Sequence, residues 1–242
     1  MRFSPLRLLA ALSLSAVTLA GCAVPSANMP VPSPMSSDAS PAQLRANDAA
    51  RQFVQVVETV EPVAEQLCRS QTRGVNCDFQ IVVDDRLNQP PNAFQTVDSF
   101  GRPILAFNLG LINSVRNADE LAFVMGHEAA HHIESHLTKT RETATLGAVI
   151  FAGTAAVMGA DVEVIRNAEQ MGAAVGARTY SKDFELEADQ LGTIIAHRAG
   201  YDPVRGAAFF SRIPDPGNRF LGSHPPNAAR MEIVRRTAAK LQ

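Results

Sequence analysis

Between residues 43 and 71, Phe53, Val56, Val57, Val60, Ala64 and Leu67 recur at steps of three and four with polar residues between them. That spacing places them on one helix face and predicts a long amphipathic helix. The pattern then changes. Residues 79–83, 92–97 and 103–109 are short runs rich in β-branched and apolar side chains, divided by Asp84-Asp85, Pro90-Pro91 and Gly101. They predict three strands of a small sheet. Helical spacing returns at residue 118, behind Asn117 as cap with Glu120 three places on, and with acids in the first turn where the helix dipole favours them. This helix is expected to run to about Glu142. Residues 143–160 carry no charge and are rich in Gly and Ala. They are short and dilute for a membrane span, so a buried or membrane-facing helical segment is preferred. Further helices are expected over 182–199, stopped by Gly200, from Asp202-Pro203 to about Ile213, and over 225–241. The expected fold class is α+β and mainly helical.

The N-terminus has a different organisation. Arg2 and Arg7 precede an apolar run over residues 8–20, too short for a stable span, which ends in Leu19-Ala20-Gly21-Cys22. That tetrad resembles the bacterial lipobox. The resemblance implies removal of residues 1–21 as a signal peptide and lipidation of Cys22. By resemblance to the sorting rule of Gram-negative lipoproteins, in which an Asp after the cysteine retains the protein at the inner membrane, Ala23 implies the outer membrane and its periplasmic face. One acyl chain binds a membrane only marginally, whereas several on Cys22 would anchor the chain without spanning. Residues 22–42 contain Pro25, Pro30, Pro32, Pro34 and Pro41 among Ser, Asn and Asp, a composition suited to an extended tether. Residues 43–242 are left as one domain.

Composition narrows the possibilities. With 46% hydrophobic and 19% charged residues the chain can bury a core. Its net charge of −2 offers no basic excess for nucleic acid. Three cysteines among 242 residues exclude a four-cysteine zinc site and a disulfide-dense scaffold. With Cys22 assigned to lipid, Cys68 and Cys77 are expected to close a local loop as a disulfide, worth about 2–3 kcal/mol by loop entropy. The alternative is a pair of reduced thiols.

The chemistry concentrates in His127-Glu128-Ala129-Ala130-His131, an HExxH pentad inside the helix expected from residue 118. Residues four apart share a helix face, so both imidazoles can bind one Zn²⁺, and Glu128 beside them can act as general base toward an attacking water. Zinc at a catalytic site needs a third protein ligand. Downstream, Glu185 and Asp189 are also four apart. Glu185 is the expected third ligand, and Asp189 is expected to accept an N–H from a ligating imidazole. Glu187 should point elsewhere. His132 and His136 form a second pair at the same spacing, with no glutamate after the first; surface or structural roles are expected for them, and for His197 an ordinary place on its helix.

Together, Gly126-HEAAHHIESH, the stretch from Tyr180 to Gly192 (YSKDFELEADQLG), His224-Pro225 and Arg230 resemble the gluzincin metallopeptidases of the HtpX and CAAX-prenyl-protease type, in their periplasmic lipoprotein (LoiP-like) branch. The resemblance implies a zincin-type domain with a small sheet beside the HExxH helix, and Glu185 rather than Glu187 as ligand. It implies that His224 enters the site, either to stabilise the oxyanion or, in a closed state, to occupy the metal. Arg230 is expected as an ion-pair partner near the site. The implied activity is zinc endopeptidase, acting on unfolded or misassembled envelope proteins in outer-membrane quality control. A latched, chaperone-like or scaffold lipoprotein of low activity is the alternative. Substrate is expected to lie extended along the sheet edge, beside the strand at 103–109.

Overall fold

The structure is a computed structural model that describes residues 40–215, 217 and 224–242. The expected signal peptide, Cys22 and the tether to residue 39 lie outside the described residues. Helix α1 (Pro41–Gln71) starts two residues ahead of expectation. Ser40 and Gln43 form a reciprocal capping box there, with Pro41 in the first turn, where a missing N–H costs nothing. Its apolar stripe is buried as the spacing requires, through Phe53, Val56, Val60, Ala64 and Leu67. Cys68 and Cys77 are disulfide-bonded and tie the end of α1 to the sheet.

Strands β1 (Gln80–Asp84), β2 (Ala93–Val97) and β3 (Pro103–Asn108) form a sheet in the order β1-β3-β2. β3 runs parallel to β1 and antiparallel to β2. This overturns the expectation that substrate pairs with the strand at 103–109, because both edges of β3 are already occupied. The reason is visible in its composition: β3 is a nearly continuous buried run, the character of a central strand. β2 carries Gln95 and Thr96, is only partly buried and takes an edge.

Asn108 ends β3 and caps α2 (Leu109–Ser114) by accepting from the Leu111 N–H at 2.8 Å. Asn117 in the same way caps α3 (Ala118–Ile133), the most buried helix of the domain. The helix expected from 118 to 142 is in fact two. Ser135 adopts a left-handed conformation with φ of 57°, and α4 (His136–Val157) begins immediately after it.

Helix α4 turns at Gly159 into α5 (Val162–Thr179), a helix not among those expected from the sequence. The two pack through glycines: a Cβ on Gly147 would stand 2.1 Å from the Gly172 carbonyl oxygen, and one on Gly176 2.0 Å from that of Thr143. Residues 143–160 are therefore not a buried segment. Leu146, Val149 and Ile150 are more than half exposed, and His136 is the only residue of α4 that is buried. Among the described residues no helix is long and apolar enough to cross a membrane.

Helix α6 (Ser181–Arg198) is followed by Gly200 at φ of 88°, the left-handed position that stops it. α7 (Pro203–Ala207) passes into a 3₁₀ turn (Ala208–Arg212), so the single helix expected to Ile213 is split, and α8 (Asn227–Ala238) closes the described chain. The main core lies between α1, the sheet, α3 and α6, and a smaller one joins Phe123, Ala207, Phe210 and Val234. The fold is thus α+β, mainly helical, with the small sheet beside α3.

One packing detail positions the chemistry. Helices α3 and α6 cross where Gly126 meets Gly192. A Cβ on Gly126 would stand 2.9 Å from the Gly192 carbonyl oxygen, and one on Gly192 would stand 2.8 Å from the His127 nitrogen. Backbone on both sides leaves nothing flexible to move aside. The absence of two side chains brings the helix with His127 against the helix with Glu185 and Asp189.

Candidate metal centre

His127 and His131 lie on one face of α3 with their Nε2 atoms 3.0 Å apart. From α6, Glu185 places Oε1 3.5 Å from His131 Nε2 and Oε2 3.6 Å from His127 Nε2. Among the described residues these three form a group whose donor atoms all lie within 4.8 Å of one another. Two ligands held ~2.0–2.1 Å from a tetrahedral ion are about 3.3 Å apart. Two imidazoles and one carboxylate at such separations fit Zn²⁺ with one position left for substrate or water.

The surroundings hold these donors in place. Asp189, fully buried one turn beyond Glu185, lies with Oδ1 2.9 Å from His127 Nδ1. Arg230 on α8 grips that same carboxylate with two hydrogen bonds, from Nε to Oδ2 and from Nη2 to Oδ1, both 2.7 Å. Its Nη2 is also 3.5 Å from Glu185, and its guanidinium lies 3.8 Å over the Phe210 ring. Arg230 is thus an ion-pair partner at the site, as expected from the resemblance.

Charge at the cluster is strongly biased. Burial alone would lower the His127 pKa, but its hydrogen bonds to Asp189 and Glu185 prevail and raise it to about 10. Burial alone would raise Glu185, but the imidazoles of His127, His131 and His224 hold its carboxyl well below the usual range. Carboxylates that keep a proton on a buried imidazole far above neutrality favour positive charge at the same point, which a metal cation would supply.

The buried Glu128 and the half-exposed His224 both line a cleft of about 840 Å³ that contains the three donors. Its lining includes Asn92 and the start of β2, from Ala93 to Gln95, together with Phe209, Ile213 and Arg230. His224 Nδ1 rests 3.1 Å from Glu185 Oε2. Every site residue singled out in the sequence therefore meets at one place.

Two residues given other places in the sequence reading also reach the site. His136 is buried, and its Nδ1 is 2.9 Å from His131 Nδ1. Its Nε2 is 3.0 Å from Glu187 Oε2, so Glu187 faces away from the donors but not from the site's support. Burial, outweighing the bond to Glu187, lowers the His136 pKa to about 4 and keeps the ring neutral. In an unbroken helix a residue five positions after His131 would be turned about 140° from it. The left-handed Ser135 restores the contact, and no Gly or Pro marks that break. His132 serves structure: its Nε2 lies 2.7 Å from the Asn76 carbonyl oxygen, and its ring packs edge-on to Phe79. His197 is exposed on the last turn of α6.

A two-histidine, one-carboxylate donor set with Glu128 beside it, in a cleft that an edge strand helps to line, suits a metallopeptidase. The chain belongs to peptidase family M48, whose model matches residues 50–238. Peptidases of this family are zinc metalloproteases. Over 129 residues, half of this chain, it is 30% identical to a Vibrio cholerae protein named as a beta-barrel assembly-enhancing protease. Over 133 residues, 52% of the chain, it is 26% identical to the mitochondrial metalloendopeptidase OMA1 of Arabidopsis thaliana. The aligned part spans 26% of the length of each of these relatives.

Proposed function

We propose that this chain is a zinc endopeptidase, lipid-anchored at the periplasmic face of the outer membrane, that cleaves unfolded or misassembled envelope proteins. The observation that carries the catalytic reading is the convergence of His127, His131 and Glu185 with Glu128 beside them in one cleft. Zinc held by those three residues would supply Lewis acidity, activating water and polarising the scissile carbonyl. Glu128 accepts the proton of the attacking water and passes it to the leaving amine. Asp189 fixes His127 with its proton on Nδ1 and its Nε2 toward the metal. His224 donates to the oxyanion from the mouth of the cleft. An extended substrate adds to the outer edge of β2 near residues 92–95, where backbone groups pair independently of sequence. A preference for unfolded chains follows, since a folded protein seldom offers a free extended segment. The second reading, a latched state of low activity, is favoured by the seating of His224 on the Glu185 carboxylate.

Purified protein is expected to contain one zinc per chain and to cleave a reduced, unfolded protein substrate. Chelation should abolish cleavage, and about one equivalent of zinc should restore it. Protein that holds no zinc, or cleavage that survives complete chelation, would defeat the reading. Anchorage is supported by the Leu19-Ala20-Gly21-Cys22 tetrad. Cys22→Ser is expected to move the protein from the membrane pellet into the soluble fraction; a variant still pelleting after a salt wash would count against lipid attachment.

A further inference from the structure

The two histidine donors are supported differently. His127 reaches a carboxylate directly, through Nδ1 and Asp189 at 2.9 Å. The Nδ1 of His131 meets another imidazole instead, that of His136, also at 2.9 Å. Metal ligation fixes the protons along this line. His131 turns Nε2 toward His127 and Glu185; with that nitrogen ligating the metal, its proton sits on Nδ1 and is donated to His136. His136 Nδ1 must then be the acceptor, its own proton sits on Nε2, and that N–H is donated to Glu187 Oε2 at 3.0 Å. The middle ring is held on both sides of this line. It is buried, and it stacks on Phe184 with centroids 4.6 Å apart and planes 15° from parallel. Lys139 lies 3.9 Å from Glu187 and 5.7 Å over the same Phe184, at the outer end of the line.

We propose that His136 is a positioning residue for His131, carrying the orienting effect of the Glu187 carboxylate to the metal ligand through a histidine-to-histidine hydrogen bond. Both ligands on α3 then end on carboxylates of α6, one directly and one through a relay. The inference rests on the reading of His127, His131 and Glu185 as metal ligands. Its physical basis is general: an acceptor on the far nitrogen fixes the tautomer and ring plane of a ligating imidazole and raises its basicity, and losing such a partner typically costs about 10- to 100-fold in metal affinity. The relay also gives a reason for the break at Ser135, without which the two rings would face apart.

The test uses the zinc-loaded protein and two readouts besides activity: zinc dissociation constant by competition with a chromophoric chelator, and the visible spectrum of the Co²⁺-substituted protein. His136→Leu is expected to weaken zinc binding by about 10- to 100-fold and to shift the Co²⁺ bands. In His136→Asn the side-chain oxygen stands where Nδ1 stood and can still accept from His131, so affinity should return to within a few-fold of wild type. Glu187→Ala, at a half-exposed position, should give a smaller loss in the same direction. Melting of the metal-free variants separates folding from binding, and if His136→Leu does not fold, Glu187→Ala decides by the same two readouts. Wild-type affinity and spectrum in folded His136→Leu, or in Glu187→Ala where that variant decides, would overturn the relay. So would an Asn variant as weak as the Leu variant. Wild-type protein that binds no metal would overturn the ligand reading, and the relay with it.

Discussion

Glu128→Gln is expected to lower kcat for peptide hydrolysis by about 10²- to 10⁴-fold with zinc content unchanged. The substitution is nearly isosteric, so it tests proton transfer rather than packing. Glu128 stands next to His127 on α3 and lines the cleft, and it is not among the three residues whose donor atoms converge. Its removal should therefore spare metal binding. A carboxamide cannot take a proton from water, so the step that depends on a base fails while substrate still enters. The expected signature is a fall in kcat with KM little changed, measured on a quenched peptide alongside elemental analysis of the same preparation. A variant with full zinc and full turnover would remove Glu128 from the mechanism.

Why the donor set could be read in advance is a matter of helical geometry. HExxH and the Glu185/Asp189 pair both exploit the four-residue step, and that step survives any tertiary arrangement as long as each segment is helical. Neighbouring residues can also signal the meeting of two helices, since Gly126 and Gly192 sit where α3 and α6 approach backbone to backbone. What periodicity could not convey was the interruption of a helix by a non-glycine residue. Ser135 takes a left-handed conformation that its side chain does not favour, and everything that follows, including the placement of His136, depends on it. Helix α5 escaped for another reason. Its buried positions are Gly172 and Gly176, while Val162, Val164 and Met171 are exposed, so its apolar spacing marks no face of the main core. The strand at 103–109 was recognised but given the wrong neighbour. Its nearly continuous apolar run already argued for a central strand, and the partly polar β2 was the better candidate for an edge.

Asp189→Ala carries the largest expected cost in stability, about 3–5 kcal/mol, because it strips a buried cation of its partner. In the native protein the Asp189 carboxylate receives both hydrogen bonds of the Arg230 fork and lies against His127 Nδ1. Without it the guanidinium stays buried over Phe210, near a histidine that then lacks its acceptor, with Glu185 at 3.5 Å as the remaining counter-charge nearby. Arg230 would then draw Glu185 away from the donors, so weaker zinc binding should accompany the lower stability. The two effects can be separated. Removing the cation as well, in Asp189→Leu with Arg230→Met, replaces the buried ion pair by apolar groups of similar volume, an exchange that is often neutral or better. The double variant is therefore expected to regain most of the stability measured by urea denaturation of the metal-free protein. Its zinc affinity should stay low, by about 10- to 100-fold, because nothing then accepts the Nδ1 proton of His127. If Asp189→Ala unfolds within about 0.5 kcal/mol of wild type, the pair is not the buttress its burial implies. If the double variant recovers zinc affinity along with stability, Asp189 serves packing alone and the orientation of His127 has another source.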